Sequence, residues 1–172
     1  RRIIREERPD IIHAHNWLVH SFTPLEAWSK ARFVVSLHDY SLICVQKRLM
    51  QQETCCTGPG AMKCLRCSLQ QYGLAKGPLS TVANSYWGGR EKRAVDLFLP
   101  VSQATADGNQ LDKDHQPYQI VPNFIPDKID ILEDANDPLL SQLPEGDFLL
   151  FVGDVSYDKG AETLLQAYAG LN

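Results

Sequence analysis

A short apolar stretch that ends abruptly in two polar side chains constrains the fold of this chain more than any other feature. The stretch contains Phe33, Val34 and Val35, and such bulky or β-branched residues suit a strand that is buried on both faces. It stops at His38 and Asp39. Because open parallel sheets bind ligands just beyond the carboxyl ends of their strands, this strand end is a candidate wall of an active site.

The spacing of helix and strand signals predicts an α/β fold with a parallel sheet. A charged helix over residues 1–7 precedes a short strand that begins at Ile11. Thr23 and Pro24 mark the start of a second helix, with the threonine as its cap. The strand over residues 33–37 comes next, and this alternation is typical of βαβ units. The later elements are strands over residues 97–101, 118–121 and 148–152, and helices over residues 65–72, 78–95, 103–111 and 161–171.

Composition and charge argue against two broad classes of protein. The net charge of −4 disfavours a nucleic-acid partner, which would need a basic face. No apolar run approaches the roughly 20 residues that span a bilayer. The N-terminus lacks the apolar segment and cleavage site of a signal peptide, so we expect a cytoplasmic protein. The apolar fraction of 44% is large enough to form a buried core.

The five cysteines all lie in one loop region, which favours a local metal site or reduced thiols over a disulfide framework. Cys64 and Cys67 form a CxxC pair, and Cys44 with either Cys55 or Cys56 completes the four thiolates that tetrahedral zinc needs. An iron–sulfur cluster and reduced or disulfide-linked thiols are the alternatives. The predicted zinc ligands are Cys44, Cys55, Cys64 and Cys67.

A second strand also ends in imidazoles. His13 and His15 alternate along it and therefore share a face, and Asn16 follows directly. Two histidines on one face are compatible with a metal site. We prefer a hydrogen-bonded role in the core for His13 and a ligand-binding role at the strand end for His15 and Asn16.

Five sequence segments occur in an order that points to a known family: PDIIHAHN, VVSLHDY, LFLPVS, IVPNFIP and FVGDVSYDKGAETLLQA. Together they resemble the retaining, nucleotide-sugar-dependent glycosyltransferases of the GT-B fold, in the large family-four class. The resemblance extends over nearly the whole chain. It implies Rossmann-like parallel sheets with flanking helices, in two domains that face each other across a cleft. The acceptor would bind mainly to the first domain and the sugar nucleotide mainly to the second.

The same resemblance implies how the chain is divided. Residues 1–125 correspond to the carboxyl-terminal half of the acceptor-side domain, with a cysteine-rich insert over residues 44–67. Residues 126–147, which are rich in acidic residues and proline, form a linker, and residues 148–172 form the first βα unit of the donor-binding domain. We therefore expect a fragment of a larger enzyme that is inactive by itself.

The resemblance also assigns candidate site residues. His38 and Asp39 would be the catalytic pair near the donor sugar and the acceptor, although Asp39 as the cap of a turn is the simpler interpretation. Ser102 and Asn123 also have simpler interpretations, as a helix cap and a turn former. Asp154 replaces an arginine that the family often has beside the donor phosphates. The candidate binding residues are His15, Asn16, Ser102 and Asn123 at strand ends, and Gly153, Lys159 and Gly160 in the donor-phosphate loop.

The expected function is transfer of a sugar from a nucleotide-sugar donor to a saccharide or lipid-linked acceptor. The resemblance implies that the chemistry needs no cofactor. The clustering of the cysteines allows a structural zinc, and the sequence leaves open a peripheral contact of the full-length protein with a membrane. Two alternatives remain open from sequence. One is a GT-B-type nucleotide-sugar epimerase or phosphorylase relative, and the other is a non-enzymatic zinc-binding module.

Overall fold

The structure is a computed structural model, and it describes residues 1–51, 54–125, 138 and 140–171. The chain forms two compact units, Arg1–Asn123 and Phe124–Asn172. The α-helices are α1 (Arg2–Glu7), α2 (Val19–Phe22), α3 (Ala61–Ala94), α4 (Gln103–Gly108) and α5 (Ala161–Ala169). The strands are β1 (Ile11–His15), β2 (Arg32–Leu37), β3 (Met50–Gln51), β4 (Thr54–Cys55) and β5 (Leu97–Pro100).

The first unit is built on a parallel sheet with the strand order β1-β2-β5. The predicted strand over residues 118–121 pairs with the outer edge of β5 at one residue, where Tyr118 lies opposite Phe98 in parallel. Backbone hydrogen bonds continue this pairing, because the Val121 amide donates to the Pro100 carbonyl at 3.0 Å. A parallel sheet with flanking helices confirms the prediction of a Rossmann-like α/β fold.

β2 is the centre of the core. Val35, Ser36 and Leu37 are buried in succession, so both faces of the strand are covered, as the sequence predicted. The ring of Phe33 packs against that of Phe22 with 4.5 Å between centroids. Burial of each such side chain stabilises the fold by about 1.5–3 kcal/mol, which holds the carboxyl end of β2 in a fixed place.

The helix that was predicted to begin at Thr23 begins earlier. A 3₁₀ turn over Asn16–Leu18 leads directly from β1 into α2, and a second 3₁₀ segment, Thr23–Trp28, follows. The Thr23 hydroxyl donates to the Val19 carbonyl at 3.0 Å, which is a bond within a helical turn. The prediction of Thr23 as an N-cap is therefore wrong, because the helical path has already been set by the turn at the end of β1.

α3 contains the two helices predicted over residues 65–72 and 78–95, joined at Gly73, whose φ of 76° is not helical. It begins at Ala61, earlier than predicted. Gly88 lies against the Leu42 carbonyl, so close that no side chain would fit there. This contact brings α3 against the segment that follows β2.

The loop predicted over residues 40–60 contains a small antiparallel hairpin. β3 pairs with β4 through Met50 opposite Cys55 and Gln51 opposite Thr54. The hairpin lies between the carboxyl end of β2 and the start of α3.

The second unit departs from prediction at residues 148–152, which form no strand with any residue that the structure describes. Leu150 and Val152 are 73% and 85% exposed. An apolar segment becomes a strand only when a neighbouring strand accepts its backbone hydrogen bonds, and the described part of this unit offers none. α5 confirms the predicted helix. Most of the predicted linker lies outside the described residues.

Within the described residues, no helix has both the length and the hydropathy needed to cross a bilayer.

Candidate functional site

Two parallel strands bring their terminal imidazoles together. β1 and β2 lie in register with His15 opposite Ser36, so His38 lies just beyond the same edge of the sheet. His15 Nδ1 and His38 Nε2 are 3.0 Å apart, and the two rings stack with centroids 5.3 Å apart. Both side chains are exposed. We define the strand-end cluster as His13, His15, Asn16, His38 and Asp39.

Asn16 fixes both members of the His38–Asp39 pair. Its Oδ1 accepts from the backbone amide of His38 at 2.9 Å, and its Nδ2 donates to Asp39 Oδ2 at 3.3 Å. Asn16 has a φ of 46°, in the left-handed region that asparagine tolerates better than most residues. The sequence suggested a ligand-binding role for Asn16, and the structure shows that it holds its neighbours.

Asp39 is engaged by the protein on both carboxylate oxygens. Besides Asn16 on Oδ2, the Ser41 amide donates to Oδ1 at 2.9 Å, which is a local turn. The simpler interpretation of Asp39, as the cap of a turn, is therefore correct in geometry. Asp39 is oriented mainly by these bonds, which leaves the imidazoles as the freer groups of the cluster.

The surroundings of His15 favour the neutral form of its imidazole. Burial lowers the pKa of His15, and the nearby His13 and His38 lower it further. A neutral imidazole both donates and accepts hydrogen bonds. His13 Nε2 lies 2.9 Å from Ser36 Oγ, so His13 is hydrogen-bonded as expected, although its side chain is exposed and not in the core.

Asn109 supports the cluster from α4 and was missed by the sequence analysis. Its side chain is fully buried, and its Nδ2 donates to the carbonyls of Asp39 at 2.8 Å and Thr105 at 2.9 Å. Its Oδ1 has no hydrogen-bond partner among the described residues. An asparagine at a helix end gives no sequence signal that it will reach a strand end 70 residues away.

Glu91 on α3 is the second residue that the sequence analysis missed. It is only 5% exposed. Burial raises the pKa of its carboxyl group to about 8, the negative charge of Asp39 adds to this, and Lys92 opposes it. Glu91 is therefore mostly protonated at neutral pH. A neutral Glu91 avoids a second negative charge that would repel that of Asp39.

Ser102 and Asn123 lie at the same edge of the sheet as the cluster. Ser102 follows β5, and its Oγ accepts from the Thr105 amide at 3.2 Å, which confirms it as the cap of α4. Asn123 is exposed, two residues beyond the pairing of Val121 with β5. The parallel topology therefore places these candidates at a common edge.

Comparison with known families decides the class. The sequence model of Glycosyltransferase Family 4 matches residues 1–128, which include the whole sheet and the strand-end cluster. The chain belongs to glycosyltransferase family 4. This confirms the resemblance at the level of the family, and it does not favour the epimerase, phosphorylase or zinc-module alternatives. Searches of curated proteins and of solved structures give no significant match.

In this glycosyltransferase, the candidate donor-phosphate residues lie in the second unit. Gly153 has a φ of 152° and Gly160 a φ of 75°, both in the region that favours glycine. Lys159 is exposed and ends the 3₁₀ turn Tyr157–Lys159, directly before α5. The backbone of this loop therefore has a conformation that favours glycine at both ends.

The cysteines of the glycosyltransferase form a separate feature. All five are free thiols. One cavity of about 20 Å³ is lined by Cys44, Cys56, Cys64 and Cys67, whereas Cys55 is exposed on β4 and is not among the lining residues. Burial raises the pKa of Cys67, and the other three lining cysteines raise it further. Among the described residues, no three His, Cys, Asp or Glu side chains are arranged to hold a metal ion as they stand.

Proposed function

We propose that this chain supplies the acceptor side of a retaining glycosyltransferase. The enzyme would transfer a sugar from a nucleotide-sugar donor to a hydroxyl group of a saccharide or lipid-linked acceptor. The observation that supports this best is the exposed His15–His38 pair, which two adjacent parallel strands bring within 3.0 Å at the ligand-binding edge of the sheet.

The chemistry of the pair suits sugar hydroxyl groups. When both rings are neutral, one ring donates to the other across the 3.0 Å contact, so one ring keeps a free acceptor nitrogen and the other a free N–H donor for sugar hydroxyls. His38 is held through its backbone amide by Asn16, and its ring is left exposed. Pre-positioning of this kind lowers the entropy cost of bringing the acceptor hydroxyl to the anomeric carbon.

The donor would be held by its phosphates. Gly153 and Gly160 allow a close approach of the backbone, and Lys159 supplies a positive charge. During transfer, the bond from the anomeric carbon to the donor phosphate breaks with its electron pair going to the diphosphate, the acceptor oxygen bonds to that carbon, and the hydroxyl proton passes to an oxygen of the departing diphosphate. Stabilisation of the diphosphate is the main electrostatic task, which protein cations and amides can perform without a cofactor.

The test is an activity assay on the complete gene product with a panel of nucleotide sugars and saccharide acceptors. His38→Ala should lower kcat/KM by about 10²-fold, which is typical for the loss of a positioned catalytic imidazole. His115→Asn is the matched control, because His115 is an exposed histidine with a φ of 53° in a turn after α4, and asparagine tolerates that conformation. It should retain full activity.

The configuration of the product tests the finer part of the proposal. Retention at the anomeric carbon, followed by NMR of the new glycosidic bond, is the expected result. Inversion would overturn the retaining assignment. Release of free nucleotide without any acceptor would favour an epimerase, and unchanged activity of His38→Ala would remove the strand-end cluster from the mechanism.

A further inference from the structure

We propose that Cys44, Cys56, Cys64 and Cys67 form a structural zinc site. The structure favours Cys56 over the Cys55 that sequence spacing had selected. The inference concerns a region outside the strand-end cluster, and it does not depend on which sugar the enzyme transfers.

The first argument is convergence from three segments of the chain. Cys44 lies in the turn after β2, Cys56 directly follows β4, and Cys64 and Cys67 lie at the start of α3. All four line the same cavity of about 20 Å³, which has room for about one water-sized particle. Four cysteines at the wall of one small cavity provide the ligand number that structural zinc requires.

Local backbone bonds fix where each segment enters the cavity. The amide of Cys44 donates to the Tyr40 carbonyl at 2.8 Å, and the amide of Cys56 donates to the Leu49 carbonyl at 2.8 Å. The amide of Cys64 donates to the Gly60 carbonyl at 2.7 Å. The backbones of these three cysteines are therefore held before any metal arrives.

Hydrogen bonds hold two of the four sulfur atoms. The Gly60 amide donates to Cys64 Sγ at 3.3 Å, and such a bond stabilises the thiolate form. Cys56 Sγ donates to the Gly58 carbonyl at 3.4 Å, a bond that this thiol gives up with its proton when it binds zinc. Lys63 also lines the cavity and would reduce the net negative charge of zinc with four thiolates.

Binding must draw the thiols closer, because no three of them are arranged to hold a metal as the described residues stand. The hairpin that carries Cys56 can adjust at low cost, since β3 and β4 pair through two residues each. A bound ion would tie this hairpin and α3 to the segment that begins at Asp39.

The choice between Cys55 and Cys56 gives a sharp test. The complete gene product is prepared under reducing conditions with added zinc, and bound metal is measured by elemental analysis. We expect one zinc per chain in the wild type and in Cys55→Ser, and loss of stoichiometric zinc in Cys56→Ser. Cobalt in place of zinc should give the visible bands and sulfur charge-transfer band of a tetrahedral thiolate site.

Labelling of the wild type keeps the proposal testable if Cys56→Ser does not fold. With zinc bound, an alkylating reagent should modify Cys55 alone, and removal of zinc by a chelator should expose the other four cysteines. Any one of four results would overturn the proposal. They are the absence of stoichiometric zinc, iron in its place, a mass loss that shows disulfides, and zinc loss in Cys55→Ser with retention in Cys56→Ser.

Discussion

The strand-end cluster and the cysteine cavity are assembled in opposite ways. In the cluster, the side chains are held by direct hydrogen bonds, such as the one that Asn16 accepts from the His38 amide and the one that it donates to Asp39. In the cavity, four thiols converge but are not arranged to hold an ion. The cluster is thus complete from protein atoms alone, whereas the proposed zinc site would be completed only by the ion. The difference predicts that the two regions respond separately to perturbation.

The largest expected effect is on stability and comes from the cavity. If zinc binds there, a chelator should lower the free energy of unfolding by about 4 kcal/mol and Tm by about 10 °C, as for a ligand present at 1,000 times its Kd. Scanning calorimetry measures this, with Cys55→Ser as the matched control. An unchanged Tm after metal removal would contradict the proposed difference between the cluster and the cavity.

The second prediction concerns the pH dependence of stability through Glu91. Its pKa is about 8 in the folded protein against a usual value of 4.5, so the folded state keeps a proton that the unfolded state releases. Stability should therefore fall as pH rises from about 4.5 to 8 and level off above. Glu91→Gln should remove this slope, which amounts to about 3 kcal/mol between pH 5 and 8.

Denaturant titrations of wild type and Glu91→Gln at pH 5 and pH 8 measure this difference. Glu162→Gln, an exposed glutamate on α5, serves as the control and should keep the wild-type slope. Equal slopes in wild type and Glu91→Gln would show that Glu91 is ionised when folded. That result would remove the neutral carboxyl group from beside Asp39.

The third prediction tests whether the cluster is held by Asn16. Asn16→Asp keeps the shape and the acceptor for the His38 amide, but it replaces the donor to Asp39 with a second carboxylate. We expect kcat to fall by about 10²-fold, because small displacements of positioned groups have effects of this size. Zinc content should stay the same, and a coupled loss of zinc would contradict the independence of the two regions.

The smallest expected effect shows whether Ser102 is a helix cap or a substrate ligand. Ser102→Ala removes the bond to the Thr105 amide and should lower the free energy of unfolding by about 1 kcal/mol. Thermal unfolding and KM for the donor are measured together. A KM that rises by about tenfold with no change in stability would instead make Ser102 a substrate ligand.

The sequence predicted the parts of the fold that follow from periodic apolar patterns. Strands near residues 33–37 and 97–101 were predicted within about one residue, and parallel pairing placed their polar ends at one edge. The prediction of a strand over residues 148–152 failed because an apolar run does not reveal whether a partner strand is present. The predicted start of the following helix was too late, because the turn that begins the helical path depends on the left-handed backbone of Asn16.

The supporting residues of the site were less predictable because they act over long sequence distances. Asn109 reaches Asp39 across 70 residues, and Glu91 becomes neutral only because α3 packs closely enough to bury it. The choice of Cys56 over Cys55 depends on which way one short strand faces, since adjacent strand residues point to opposite sides. Spacing alone cannot determine that direction.

The most direct test of the central claim is NMR of the imidazole nitrogens of the complete gene product during titration with donor and acceptor. The resonances of His15 and His38 should shift together on saturation, while those of His115 should not move. The hydrogen bond between the two rings should be visible before any substrate is added. Sugar transfer that proceeds with the His15 and His38 resonances unchanged would contradict the account.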